Sequence, residues 1–278
     1  MTLHEIAWAK INLALHVRAR RADGYHEIES LFAFADAGDL LSAAGDNLLS
    51  LTITGPFADG LSDGADNLVI RAAQALRDAA APGRGARIAL DKRLPVAAGI
   101  GGGSADAAAA LRLLARLWQV DDEPLLMRIA MSLGADVPAC VQSRTLRGEG
   151  RGDRLDPIDD ATLAGMPVLL VNPRIPLATG PVFKGWDGED RGPLAHDAPL
   201  GAAVAGRNDL EAPAAALVPE IGGIVSALAA MPGARLARMS GSGATCFALF
   251  DDAETRDRAA AAVADRWPGY WQLASVLR

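Results

Sequence analysis

The 278-residue chain is short of the residues that several function classes need. It has two cysteines, Cys140 and Cys246, far apart and beside no His or Cys partner. A disulfide framework or zinc site is therefore not expected, no metal ligand is assigned, and a reducing compartment fits. No apolar run approaches the length of a bilayer span, and Met1-Thr2-Leu3-His4-Glu5-Ile6 is neither basic nor followed by a signal-like apolar core. A cytoplasmic location without a membrane partner is the expectation. Positive charge is also scarce: 27 Lys and Arg against 34 Asp and Glu leave a net charge of −7, which argues against a nucleic-acid partner. Nothing in the sequence specifies an oligomeric state. What remains is ordinary globular material, half of it hydrophobic, enough for one large or two ordinary domains.

One stretch stands out from that background. Pro95-Val96-Ala97-Ala98-Gly99-Ile100-Gly101-Gly102-Gly103-Ser104-Ala105 leads into an alanine-rich helix running through Leu111, Leu114 and Trp118. Glycine lets the backbone adopt positive φ and approach a bulky ligand closely. A helix opening there offers unpaired N–H groups and a positive dipole end, which suit a phosphate. A glycine-rich turn needed only for packing would look similar. No lysine follows the glycines, so this is not a Walker A loop. Its GxGGG spacing after Pro95 fits a dinucleotide fingerprint poorly, although Asp121 and Asp122 lie near the right distance.

Read in order, residues 6–17 form a strand in which Ile11, Leu13, Leu15 and Val17 alternate with Lys10, Asn12, Ala14 and His16. Lys10 and Asn12 thus share one face, which on this pattern alone would be a solvated one. Strands at 31–34 and 49–53 joined by short turns suggest an early antiparallel sheet. Asp66-Asn67 caps a helix from Leu68 to about Ala80 with a Leu68, Ala72, Leu76, Ala80 stripe, ended by Pro82-Gly83. Ile88 and Leu90 mark a strand that leads through Lys92 to the glycine loop. Asp122 and Pro124 start a further helix that Gly134 stops, and Asp136 follows in a tight turn where a helix cap is the bland reading. Residues 144–207 are dense in glycine, proline and charge, a boundary region with little pattern between 180 and 206. Beyond it, strands near 168–171, 235–239, 245–250 and 271–277 with helices at 209–230 and 253–266 read as βαββαβ, a ferredoxin-like sandwich. Ser240-Gly241-Ser242-Gly243-Ala244 lies in its central hairpin, a second cluster of backbone donors.

Phosphoryl transfer uses all the polar features at once. A phosphate loop holds a nucleoside triphosphate, a serine hydroxyl meets a phosphate oxygen or Mg²⁺, and an aspartate accepts a hydroxyl proton. A lysine can hold that aspartate ionised, lower the pKa of the attacking hydroxyl or stabilise the γ-phosphoryl charge. The glycine loop also resembles the second motif of the GHMP small-molecule kinases. Ser240 to Ala244 resembles their third motif, and Ala9-Lys10-Ile11-Asn12-Leu13 takes the place of their first. Four pieces resemble the branch of these kinases that acts on 4-diphosphocytidyl-2-C-methyl-D-erythritol: Lys10 to Leu13, Arg21-Ala22-Asp23-Gly24-Tyr25-His26, Asp66-Asn67-Leu68, and Leu133-Gly134-Ala135-Asp136-Val137-Pro138.

The resemblance implies a two-domain α+β GHMP kinase fold. Residues 1–150 would be the nucleotide-binding and catalytic half, like the second domain of ribosomal protein S5, and residues 151–278 the ferredoxin-like half. It further implies ATP and Mg²⁺ as cofactors and phosphorylation of the acceptor's 2-hydroxyl in the non-mevalonate route to isopentenyl diphosphate. Asp136 would be the general base and Lys10 its electrostatic partner. Pro95 to Ala105 would wrap the triphosphate, with Asn67 and Lys92 near the nucleotide. Asn12 would hold the acceptor near its reacting hydroxyl, Tyr25 and His26 would grip cytidine, and Phe183 would stack on cytosine. Thr179, Gly241 and Ser242 complete the expected acceptor site. The chain departs from the pattern at Ala105-Asp106, where a second hydroxyl commonly follows Ser104, which weakens Mg²⁺ ligation by this helix start. Tyr25-His26 argues against the mevalonate and homoserine branches. A non-catalytic nucleotide-binding module is the rival from another class, and a dinucleotide oxidoreductase a more distant one.

Overall fold

The computed structural model describes residues 1–158 and 161–278. In chain order the elements are β1 (Thr2–Arg20), β2 (His26–Asp46), β3 (Leu49–Thr54), α1 (Leu68–Ala80), β4 (Gly85–Asp91), α2 (Gly102–Trp118), α3 (Glu123–Leu133), α4 (Val137–Gln142), β5 (Leu146–Gly150) and β6 (Arg154–Pro157). There follow β7 (Pro167–Asn172), α5 (Thr179–Lys184), α6 (Pro199–Ala205), α7 (Glu211–Leu217), α8 (Glu220–Ala229), β8 (Ala234–Met239), β9 (Cys246–Phe250), α9 (Ala253–Arg266) and β10 (Trp271–Val276). Among the described residues no helix is long and apolar enough to cross a membrane. The chain divides into two compact units. One comprises Met1–Ala9, Ala37–Val96 and Gly101–Ser143, the other Lys10–Asp36, Ala97–Ile100 and Arg144–Arg278.

In the first unit β3 runs parallel to β4, which pairs antiparallel with Leu40–Asp46 of β2. The antiparallel expectation for the early strands is thus corrected for β3. Helix α1 intervenes between β3 and β4, and a strand–helix–strand crossover returns the chain in the same direction. The predicted cap of α1 is present, with Asn67 Oδ1 accepting from Val69 N at 2.8 Å. Its buried stripe is Val69, Ala72, Ala73 and Leu76, so Leu68 and Ala80 fall at the margin of the predicted face. Helix α2 packs against α1, α3 and α4. That central position explains its composition: Ala105 and Ala107 to Ala110 are all buried, and small side chains let neighbours on every side come close. Helix α3 starts and stops as predicted, with Asp122 Oδ1 accepting from Leu125 N, Pro124 in the first turn and Gly134 at the end.

In the second unit Ile28–Phe32 of β2 pair antiparallel with β5, and β5 with β6. A separate four-stranded sheet has the order β10-β7-β9-β8, antiparallel throughout. Helix α8 packs on β8 and β9, and α9 on β7, β9 and β10. This is the βαββαβ sandwich predicted. Its core joins Leu169 and Val171 to Ile221, Ile224, Leu228, Phe250 and Val263. The stretch from 180 to 206, which shows little pattern in the sequence, holds α5 and α6. Both are too short to display a helical period.

Candidate active site

Within the second unit the first motif is not on a solvated face. Lys10 and Asn12 are 3% and 2% exposed, a correction to the half-buried reading of β1. Lys10 Nζ donates to Asn12 Oδ1 at 2.8 Å and stands 5.1 Å from the Phe32 ring centroid. Asn12 Nδ2 donates to Ser30 Oγ at 2.8 Å, and that hydroxyl donates to Ala14 O at 2.7 Å. Both ends of the Asn12 amide are therefore engaged, which fixes its orientation.

The base of the glycine loop, residues 97–100, is fastened to the same place. Lys10 N donates to Ile100 O at 3.1 Å, and Ser240 Oγ donates to Gly99 O at 3.0 Å. Asn12 N donates in turn to Ser240 Oγ at 3.1 Å, and Thr245 N to Ala98 O at 3.1 Å. Gly99 has φ +74°, and a Cβ there would lie 2.4 Å from Ser240 O. A Cβ on Gly241 would lie 2.8 Å from Gly99 O and 3.2 Å from Asn12 Oδ1. The glycines thus allow three segments remote in sequence to touch through their backbones. Asn208 Nδ2 steadies the hairpin by donating to Met239 O and Gly241 O, each at 2.8 Å. The buried Arg238 guanidinium donates to Leu13 O, Ala203 O and Gly206 O, and burial pulls its pKa down to about 10.

The residues expected to hold cytidine also gather in this unit. The His26 ring lies 4.9 Å from Phe183 at 41° and meets Trp186 edge-on at 5.8 Å. His26 Nε2 is buried without a hydrogen-bond partner, an orphan that a bound base edge would satisfy. Burial, and then the Arg20 charge, lower its pKa and keep the ring neutral at pH 7. Tyr25 is exposed with the Arg151 guanidinium 5.0 Å from its ring centroid, and Thr179 Oγ1 and Ser242 Oγ share a hydrogen bond of 3.0 Å. Trp186, 3% exposed, has no signal in the sequence, because only the fold brings it against His26.

In the first unit, α2 opens at Gly101, φ +63°, with no side-chain cap. Helix geometry therefore leaves the first-turn N–H groups of Gly102, Gly103 and Ser104 to an outside acceptor. Upstream, Ala97 is left-handed at φ +51°, Pro95 is buried and Val96 is exposed. Asn67, besides capping α1, donates from Nδ2 to Ser62 O at 2.7 Å. Lys92 lies under the helix start, its Nζ 3.2 Å from where a Cβ on Gly102 would be. Its ammonium donates to Asp39 Oδ2 at 2.6 Å and Asp106 Oδ2 at 2.5 Å, all three side chains being buried. Asp39 also accepts from Arg93 N and Leu94 N. Asp106 lacks such donors, its Oδ1 is unpartnered, and burial raises its pKa to about 8.

A carboxyl with a raised folded-state pKa stabilises fully below the unfolded value of 3.8 and loses that contribution as pH rises through about 8. Tm should therefore fall through this group across that range, and Asp106→Asn should flatten the Tm–pH curve there. Parallel curves for the two proteins would exclude the assignment.

Asp136 stands at the N-cap of α4, followed by Val137 and Pro138, but makes no capping hydrogen bond to that helix. Its carboxylate is therefore not used in the way the bland reading requires. Among the described residues no group of three or more His, Cys, Asp or Glu side chains could hold a metal ion. The carboxylate closest in sequence to Ser104, Asp106, is committed to Lys92. The described donor set does not make a protein cage for Mg²⁺.

The family model described as GHMP kinases N terminal domain matches residues 67–144, and the one described as GHMP kinases C terminal matches residues 194–269. The chain is 61% identical over 277 residues to the 4-diphosphocytidyl-2-C-methyl-D-erythritol kinase of Rhizorhabdus wittichii, covering 99% of this chain and 94% of that one. To the enzyme of the same name from Sphingopyxis alaskensis it is 55% identical, over 100% and 99% of the two chains. Among solved structures, a 4-(cytidine 5'-diphospho)-2C-methyl-D-erythritol kinase superposes with TM-score 0.82 at 37% identity, covering 99% of both chains. The homoserine kinase of Cytophaga hutchinsonii gives TM-score 0.77 at 18% identity, with 99% and 95% covered, a likeness of fold alone.

Proposed function

This chain belongs to the 4-diphosphocytidyl-2-C-methyl-D-erythritol kinases, a branch of the ATP-dependent GHMP kinases, and from that premise we propose how its residues perform the reaction. The enzyme transfers the γ-phosphoryl group of ATP to the 2-hydroxyl of 4-diphosphocytidyl-2-C-methyl-D-erythritol, a step of the non-mevalonate route to isopentenyl diphosphate. Its partners are these two small molecules, and it works in the cytoplasm. Residues 1–150 act as the nucleotide-binding and catalytic domain and residues 151–278 as the ferredoxin-like domain.

Asp136 is the general base. The acceptor oxygen bonds to the γ-phosphorus, the bond from that phosphorus to the β–γ bridging oxygen breaks, and the acceptor proton passes to the carboxylate. Phosphoryl transfer asks for little covalent chemistry from a protein, so positioning and charge carry most of the rate. Lys10 is the electrostatic partner of Asp136, held by Asn12 and Phe32 in a site where little water weakens its charge. The stretch from Pro95 to Ala105, with Asn67 and Lys92, holds the nucleotide. The first-turn amides of α2 and its dipole meet the phosphate charge. Mg²⁺ would supply counter-charge to the bound triphosphate, an ion that usually keeps phosphate and water ligands rather than an all-protein cage.

What supports the reading most is the interlocking of Lys10, Asn12, Gly99 and Ser240 by hydrogen bonds, because it gives three weak motifs one location. ATP consumption with 4-diphosphocytidyl-2-C-methyl-D-erythritol, mevalonate and homoserine as alternative acceptors tests the assignment. Stimulation by the first alone is expected, and no stimulation above the acceptor-free rate would sink it.

His26 reads the cytosine edge through its unpartnered Nε2, while Phe183 and Tyr25 offer flat surfaces to the base. Asn12, Thr179, Gly241 and Ser242 line the rest of the acceptor's path. His26→Ala should raise KM for the acceptor about tenfold or more, the worth of one buried hydrogen bond, and leave KM for ATP within about twofold. Equal changes in both constants would contradict the role.

A further inference from the structure

Arg112 stands half-buried in the fourth turn of α2, within the first unit, and no step of the proposed reaction uses it. Its guanidinium is engaged from every side. Nη1 donates to Cys140 O at 2.6 Å, Val141 O at 3.3 Å and Ser143 Oγ at 3.3 Å. Nη2 donates to Ile6 O at 3.0 Å, Nε donates to Glu5 Oε1 at 3.1 Å, and the group lies 4.9 Å from the Trp8 ring centroid. Burial pulls the Arg112 pKa down and the Glu5 carboxylate opposes that, so the group stays charged.

Two of the acceptors belong to the last turn of α4. A helix of six residues has barely any internal ladder, and its final carbonyls have no donor within the helix. A cation at that end satisfies the carbonyls and complements the dipole. The other end of α4 begins at Asp136, and α2 itself begins at the glycine loop. One guanidinium therefore ties the helix that opens at the phosphate loop to the helix that opens at the carboxylate.

We propose that Arg112 is a positioning residue that sets the height and rotation of α4 on α2, and so places the Asp136 carboxylate relative to the phosphate-binding start of α2. This rests on Asp136 being the base. Lysine could not replace it, since three donors on a flexible stem cannot reproduce a planar fork aimed at two segments. A misplacement of about 1 Å at the reacting groups can cost about a hundredfold in rate.

Steady-state kinetics of Arg112→Gln, Arg112→Lys and Arg112→Ala, run beside Asp136→Asn, test it. Arg112→Gln should lower kcat about a hundredfold while both KM values stay within about threefold. Added guanidinium, below denaturing concentration, should restore kcat of Arg112→Ala saturably by about tenfold and leave Asp136→Asn unmoved. If Arg112→Ala does not fold, Arg112→Lys carries the test: its kcat should drop with Tm close to that of the parent. A kcat for Arg112→Gln within about threefold of the parent, or a fall in Tm alone, would overturn the proposal. An inactive Asp136→Asn beside an active Arg112→Gln removes only the role of Arg112. An active Asp136→Asn removes the base assignment and this inference with it.

Discussion

Asp136→Asn should abolish most turnover, with kcat falling about a thousandfold, while the protein still binds ATP with a dissociation constant within about twofold of the parent. A thousandfold corresponds to about 4 kcal/mol of barrier, within the usual worth of a positioned general base. The substitution is close to isosteric and replaces a carboxylate by an amide that cannot take the acceptor's proton. Because the Asp136 side chain makes no capping hydrogen bond to α4, the substitution removes no helix cap. Stopped or slowed turnover with intact nucleotide binding separates chemistry from a failure to fold. A kcat within about tenfold of the parent would remove Asp136 from the mechanism and leave the non-catalytic nucleotide-binding rival standing.

Gly99→Ala should have a large effect although it adds only one methyl group. The new methyl group would stand 2.4 Å from Ser240 O and 2.7 Å from both Gly243 N and Gly243 O, all of them backbone atoms. Backbone cannot swing aside as a flexible side-chain tip does, so the loop or the hairpin must move. The position is also left-handed, at φ +74°. Strain and overlap together should cost about 3 kcal/mol or more. In a protein of this size that lowers Tm by about 6 °C or more. Gly83→Ala is the matched control: φ is +81° there, but nothing lies within 4 Å of the added carbon. It should cost only the left-handed strain, about 1 kcal/mol. Gly99→Ala should also raise KM for ATP, since Gly99 O accepts the Ser240 hydroxyl that sets the base of the loop. Equal Tm values for the two variants would show that the loop and the hairpin do not need their close approach.

Much of the fold is legible along the chain because its signals are local. Asn67 and Asp122 each accept from a backbone N–H two or three residues on, Pro124 suits a first turn, and Gly134 ends a helix, all within a few residues. The four strands of the β10-β7-β9-β8 sheet show themselves by apolar runs and their order among helices. The parallel pairing of β3 with β4 is not legible in this way, since a strand carries no mark of which neighbour it will take. Nor are α5 and α6, which are too short to show a period and lie in proline- and glycine-rich chain.

The candidate site divides along the same line. Motif spacing names Lys10, the glycine loop, Asp136 and the 240–244 hairpin, because each is a run of neighbouring residues whose chemistry is readable in place. What the chain alone cannot settle is which polar groups lose their water, because desolvation depends on segments that arrive from far away. Only the folded protein buries Lys10 and Asn12 against Ser240, sets Asp39 opposite Asp106 across Lys92, and lays Trp186 on His26. The same long-range packing puts Arg112 at the end of the helix that Asp136 begins, a relation between α2 and α4 that has no spacing to betray it. The amino-acid order thus determines the elements and the kind of chemistry. The tertiary structure decides the electrostatics, because charge and hydrogen bonds take their strength from what surrounds them.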